Sequence, residues 1–158
     1  VLALALVLAG CGFRLRGTAE VPFQTLYVPN ATSGIALDLN RNIQAGRHAR
    51  VVDDAKGADA VLQFLEETRA KEILSLTAQG RVREFQLRYR VGFRVHDGKG
   101  REFVPASTIQ LTLDVTFNDT EILAKEQEEQ LLFRDMQTDM VQLIMRRLAA
   151  AKPAKATE

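Results

Sequence analysis

The sequence predicts an α+β fold, a two-layer sandwich in which two helices pack on one face of a mostly antiparallel sheet. Two segments alternate strictly between apolar and polar residues, and two others carry apolar residues at helical spacing. Because every one of these elements is amphipathic, packing the helices against the sheet buries all the apolar faces together. The length of 158 residues and the 46% apolar content fit one globular domain and exclude global disorder.

The first part of the chain is predicted to hold one helix between two short strands. Residues 25–28 are β-prone, and Ser33 can cap the helix that follows. The apolar stripe of this helix consists of Ile35, Leu39 and Ile43. The helix is expected to end at Gly46, and residues 50–53 are predicted as a second short strand.

Three longer strands are predicted next. Residues 60–69 begin apolar and end charged, and the uncharged residues 74–80 are expected to be a hairpin loop. From residue 84 to 95, apolar side chains hold the odd positions and polar ones the even positions, as in a strand with one buried face. After a tight turn at residues 97–100, residues 108–115 repeat this alternation.

A long helix is predicted from about residue 120 to residue 149. Asn118 and Glu121 have the spacing of a capping pair at its start. Its apolar stripe consists of Leu132, Met136, Met140, Leu143, Ile144 and Leu148. Residues 150–158 are expected to form a flexible tail, which gives the element order β-α-β-β-β-β-α.

The single cysteine, Cys11, follows an uncharged apolar segment with the length of a signal-peptide core, too short to span a bilayer. Residues 8–11 (Leu-Ala-Gly-Cys) match the bacterial lipobox, so residues 1–10 are expected to be part of a signal peptide. Cys11 would then carry lipid, with residues 11–24 as a tether, and Gly12 rather than Asp favours the outer membrane. The alternative is a buried N-terminal element that happens to end in cysteine.

The residues that usually carry chemistry do not form a recognisable site. One cysteine excludes an internal disulfide and a Cys-based zinc site, while His48 and His96 lie in separate loop regions. No nucleotide-binding or hydrolase motif occurs. We therefore expect no enzyme, no metal and no cofactor, and the net charge of +1 argues against a nucleic-acid binder.

Arginine is concentrated between residues 81 and 94. The group consists of Arg81, Arg83, Arg88, Arg90 and Arg94, of which the last three share one face of the predicted strand. One interpretation is a solvated polar sheet face, and the other is a docking surface for phosphate or carboxylate groups. The lipobox places the chain outside the cytoplasm, where the anionic phosphates that such a surface could bind are those of lipid headgroups. Lipopolysaccharide is the most highly charged of these lipids.

Several short motifs together resemble the LptE family of lipopolysaccharide-assembly lipoproteins. They are residues 11–17 (CGFRLRG), residues 83–87 (REFQL), residues 118–119 (ND), residues 123–126 (LAKE) and residues 129–130 (EQ). The resemblance implies a single domain over residues 25–149, with two helices on one face of a four-stranded sheet. It also implies a one-to-one complex in which the protein plugs the lumen of the outer-membrane β-barrel LptD, helps to assemble it and helps to deliver lipopolysaccharide to the outer leaflet.

The same resemblance implies lipopolysaccharide binding through basic residues. Lys125 matches a lysine of the family, whereas a family arginine falls near Ala78, so Arg81 or Arg83 would take its place. Arg88, Arg90 and Arg94 would lie on the sheet face that meets the barrel. Two rival functions are an auxiliary lipoprotein of another envelope lipid transporter and a pilotin-type chaperone for an outer-membrane barrel.

Overall fold

A computed structural model describes residues 21–46, 49–116 and 122–152, with side chains in the last helix described from residue 126. Its elements confirm the predicted order. They are β1 (Thr25–Tyr27), α1 (Gly34–Gly46), β2 (Arg50–Val52), β3 (Ala60–Leu76), β4 (Val82–His96), β5 (Glu102–Thr116) and α2 (Ile122–Ala149). A 3-10 turn, Ala55–Gly57, precedes β3 and is capped by the carboxylate of Asp54.

The strands form one sheet in the order β2-β1-β3-β4-β5. Its long pairs, β3 with β4 and β4 with β5, are antiparallel, which confirms the predicted class. The expected count of four strands was wrong, because β2 adds a fifth by pairing with β1. That pair is parallel since α1 crosses from the end of one strand to the start of the other.

The strand β3 is longer than its sequence pattern predicted. It continues through the charged residues to Leu76, so the expected hairpin loop over residues 74–80 was wrong for residues 74–76. Ser75 and Leu76 still pair with Glu84 and Val82 on β4. The turn itself is confined to residues 77–80 and is closed by a hydrogen bond from the Gly80 N–H to the Thr77 carbonyl oxygen.

The core lies between the two helices and the odd-numbered face of β4, as the alternation predicted. Its fully buried members include Leu39 and Ile43 of α1, Tyr89, Val91, Phe93 and Val95 of β4, and Met140, Ile144 and Leu148 of α2. Leu132 and Leu143 are only partly buried, whereas Val141 and Gln137 are buried although the sequence pattern did not single them out. Both helices therefore cover one face, and the other is left open.

A β-bulge at Leu65 sets which side chains of β3 face the helices. Phe64 pairs with Phe93 and Glu66 with Gly92, so Leu65 is an extra residue without a partner on β4. Before the bulge the even residues of β3 face the core, and after it the odd ones do. The charged side chains of Glu67, Arg69 and Lys71 are consequently turned toward α2, and those of Glu66 and Glu72 toward the open face.

Candidate functional site

The open face of the sheet is covered by a ladder of hydrogen bonds between strands. Two arginines of β4 bond to side chains of β3. Arg88 Nη2 lies 2.8 Å from Glu72 Oε2, and Arg94 Nε lies 2.7 Å from Gln63 Oε1. Arg90 donates to Gln110 of β5 at 3.0 Å and also lies 3.8 Å from Glu66. The three arginines therefore share one face, as predicted, but each has a partner on a neighbouring strand.

The charges of this open face are nearly balanced. Against its three arginines stand four carboxylates, those of Glu66, Glu72, Glu84 and Asp114. Glu66 and Glu72 accept hydrogen bonds from Thr68 and Arg88, and the other two carboxylates accept as well, Glu84 from the Ser75 hydroxyl and Asp114 from the Gln86 amide. The open face is thus a polar surface rich in hydrogen-bonding groups rather than a basic patch, which favours the first interpretation of its arginines.

The other two arginines lie at the far end of the β3–β4 hairpin, at the tip formed by residues 73–83. Ile73, Leu74 and Leu76 expose 58%, 47% and 55% of their surface there. Arg81 and Arg83 are also exposed, and the Arg81 N–H donates to the Thr77 hydroxyl at 3.2 Å. The hairpin tip therefore combines exposed aliphatic side chains with guanidinium groups in one short segment.

A narrow cleft lies beside the hairpin tip, under the first part of α2. It is lined by Lys71, Phe85, Leu87, Val115, Glu128, Glu129 and Leu132. The Lys71 ammonium sits 4.3 Å from the centre of the Phe85 ring and pairs with Glu129 across the mouth. Its interior of about 20 Å³ has room for roughly one water molecule. An acyl chain does not fit into the cleft in this conformation.

A polar chain under the helices connects all the layers of the fold. Asp38 of α1 accepts from Gln137 of α2, and Gln137 accepts from Arg69 of β3. The Arg69 guanidinium stacks 4.9 Å above the Tyr89 ring, whose hydroxyl donates to Glu67 at 2.8 Å. Burial, and next the hydrogen bond to Glu67, raise the pKa of Tyr89 well above its usual value.

This polar chain was not predicted from the sequence, because the bulge at Leu65 exchanges the two faces of β3. An unbroken alternation starting from Leu62 would turn Glu67 and Arg69 to the open face. The run of charged residues after Leu65 is the sequence feature that could have predicted the polar chain. Such a run conflicts with a strand that keeps one apolar face along its whole length. We assign this polar chain of side chains a structural role, because its groups bond to one another and hold the helices on the sheet.

Two of the predicted functional residues are not described by the structure. Cys11 lies outside the described ranges, and the Lys125 side chain is not described, although its backbone belongs to α2. His48, which the sequence placed in a polar loop, also lies outside those ranges. Within the described ranges no three metal-ligating side chains come together to hold an ion. None of the helices described is both long enough and apolar enough to cross a membrane.

Comparison with known proteins gives consistent matches along the chain. Residues 23–148 match the family model LptE, described as lipopolysaccharide-assembly. A protein of Pectobacterium atrosepticum called LPS-assembly lipoprotein LptE is 30% identical over 155 residues, which covers 94% of this chain and 82% of that protein. One of the same name from Yersinia pestis is 32% identical over 156 residues, which covers 95% of this chain and 73% of that protein.

Solved structures agree with the fold. A lipoprotein B of Nitrosomonas europaea superposes with a TM-score of 0.75 at 42% identity, over 88% of this chain and 91% of that one. The rare lipoprotein B of Shewanella oneidensis superposes with a TM-score of 0.68 at 25% identity, over 80% of this chain and 94% of that one. The layered sheet and helix arrangement is therefore shared with these two bacterial lipoproteins.

Proposed function

Because the chain belongs to the LptE family of lipopolysaccharide-assembly proteins, we propose that it acts as a lipid-anchored subunit in the assembly of lipopolysaccharide at the outer membrane. In this proposal the protein occupies the lumen of the barrel LptD, closes that lumen as a plug and takes part in delivering lipopolysaccharide to the outer leaflet. It works by binding and by shape rather than by catalysis. Cys11 carries the lipid that holds it at the membrane.

The observation that carries the plug proposal is the open face of the sheet. The lumen of a large outer-membrane barrel is polar, and a barrel wide enough to pass a lipid leaks unless it is filled. A plug must therefore be rigid and offer hydrogen-bond donors and acceptors over a broad surface. The open face supplies both, since its side chains are held by bonds between β3, β4 and β5.

Purification from native envelope tests this proposal. A tagged chain, extracted from membranes with detergent, is expected to bring down one large β-barrel protein in a one-to-one ratio. Recovery of a permease or a soluble shuttle protein instead would support an auxiliary role in another lipid transporter. A barrel partner with no lipopolysaccharide binding by the purified chain would support a pilotin-type chaperone.

The hairpin tip supports the second part of the proposal, contact with lipopolysaccharide. The lipid carries phosphates beside several acyl chains, so a surface that binds it needs cations next to apolar side chains. Arg81 and Arg83 provide guanidinium groups, which bind phosphate in a bidentate manner. Ile73, Leu74 and Leu76 provide exposed apolar surface within the same segment. Lys125, near the start of α2, is proposed as a third cation.

Reversing two of these cations is expected to weaken lipopolysaccharide binding without unfolding the protein. The double variant Lys125→Asp, Arg81→Asp loses two charge-assisted contacts and gains two repulsive ones, so we expect about tenfold or more weaker binding. A pull-down on immobilised lipopolysaccharide at two salt concentrations measures the loss, because such contacts are screened by salt. Circular dichroism checks the fold.

The matched control is Lys56→Asp with Lys99→Asp. It makes the same change of charge at the opposite end of the sheet, where the 3-10 turn and the β4–β5 turn lie. This control should bind lipopolysaccharide as well as the unaltered protein does. Equal binding by both double variants would remove the hairpin tip from the proposal while leaving the plug untouched.

A further inference from the structure

The outer edge of the sheet at β5 is long and unpaired. β5 spans fifteen residues and is the last strand in the sheet order, and within the described ranges it pairs with β4 alone. Along its outer side, the backbone N–H and C=O groups of alternate residues are consequently not used by the sheet. Such an edge can accept another strand.

The features by which proteins usually block a free edge are nearly absent from β5. Between Glu102 and Thr116 there is no lysine or arginine, and the only charges are those of Glu102 and Asp114. Pro105 and the register shift beside it, between Val104 and Ser107, interrupt the strand close to its start and leave the rest unbroken. Eleven residues, 106–116, remain as a continuous stretch to which a strand can add.

The helix beside this edge presents carboxylates. Glu128 and Leu132 of α2 line the cleft together with Val115 of β5, so this side of the helix faces the edge strand. Asp135 and Asp139 follow Leu132 at helical spacing on the same side, and both are exposed. Because α2 also contacts β5, a strand added to this edge would pass this side of the helix.

The charges select among the possible occupants. A second copy of the chain, joined through its own β5, would bring the same acidic flank against itself, and like charges disfavour that pairing. A basic strand has the complementary charge. The stems of its alternate lysine or arginine side chains can lie on Leu111 and Leu113, with their cationic ends at Asp135 and Asp139.

We propose that β5 and the acidic flank of α2 bind an extended basic segment of a partner protein, which adds to the sheet as a sixth strand. A closed barrel wall has no free edge, so the segment is one that is not paired within such a wall. The proposal goes beyond the plug and lipid functions and depends on neither the open face nor the hairpin tip. Backbone pairing supplies the binding energy, and the flank supplies the preference for a basic sequence.

A peptide of about ten residues that alternates lysine and valine is a direct probe of the edge. It is expected to bind the full chain and to slow amide hydrogen exchange within residues 106–116. The matched peptide that alternates glutamate and valine should bind at least about tenfold more weakly, because it meets the acidic flank with like charges. Fluorescence anisotropy measures both affinities.

Backbone methylation separates strand pairing from simple charge attraction. In a paired strand only alternate N–H groups point at the neighbouring strand. Two versions of the lysine peptide, one N-methylated at odd and one at even positions, should therefore differ, with one losing most of its binding and the other little. Equal binding by the two would overturn the proposal, since charge attraction alone does not distinguish them.

Protein variants test the flank. Asp135→Asn with Asp139→Asn is expected to weaken binding of the lysine peptide roughly tenfold and to leave the fold intact. The control, Asp53→Asn with Asp54→Asn, removes two exposed carboxylates beside β2, at the other edge of the sheet, and should change nothing. Unaltered binding by the α2 variant, or a concentration-dependent dimer formed through β5, would also overturn the proposal.

Discussion

Replacement of Phe93 by aspartate is expected to yield a chain that does not fold. Phe93 is fully buried on β4, where it pairs with Phe64 of β3 and Ser107 of β5. Loss of a buried phenylalanine costs about 3–5 kcal/mol, and an unpaired buried charge costs several more. Since a domain of this kind is stable by only about 5–15 kcal/mol, the variant should have no folded baseline in urea unfolding followed by circular dichroism.

Two further variants define what this result means. Phe93→Leu keeps an apolar side chain at the site and should fold with reduced stability. Arg94→Asp introduces the same charge one residue further along, where the side chain faces the open side and bonds Gln63. It should cost about 1 kcal/mol at most. If Arg94→Asp unfolded the chain and Phe93→Asp did not, the assignment of the two sheet faces would be wrong.

Loss of the membrane anchor is the second large effect that we expect, from Cys11→Ser. Cys11 is the only cysteine of the sequence, so no other thiol can take an acyl group. Each buried methylene of an acyl chain contributes about 0.8 kcal/mol, and a multiply acylated residue is a durable anchor. The variant, expressed without a barrel partner, should lack acyl groups by intact mass and, once its signal segment is removed, leave the membrane fraction.

The signal segment must be controlled for in this experiment, because an uncleaved apolar segment can itself hold a protein at a membrane. The parent chain and the serine variant are therefore each exported in two versions. One version carries the chain's own signal, and the other carries the signal of a soluble periplasmic protein. Behind the second signal the serine variant should be fully soluble. An acyl group on the serine variant, or an unmodified Cys11 in the parent chain exported behind its own signal, would contradict the lipoprotein proposal.

The sequence predicted those elements whose side chains repeat with one period. The odd residues of β4 are buried from Leu87 to Val95, and the stripe of Ile35, Leu39 and Ile43 faces the core. In both cases a face can be buried only if its residues are apolar, so the period of the apolar residues predicts which face is buried. The same reasoning correctly placed Arg88, Arg90 and Arg94 on the opposite face of β4.

The positions of β1 and β2 were predicted, but features that depend on neighbouring elements were less predictable. β1 and β2 have three residues each, too few for a period, and their parallel pairing depends on the path of α1. The last part of β3 is charged and partly exposed, and it is a strand because β4 supplies its hydrogen-bond partners. The charge balance of the open face was likewise hidden, because Glu66 and Glu72 reach it only through the bulge at Leu65.

The paired arginines and carboxylates of the open face affect what happens when that face is covered. An isolated patch of one sign gathers mobile ions from solution, and a partner must displace them. Here the neutralising groups are side chains of the protein itself, already positioned 2.8 Å apart in the pair of Arg88 and Glu72. A partner that covers this face therefore displaces few mobile ions. The strength of such binding depends on hydrogen-bond geometry rather than on the salt concentration.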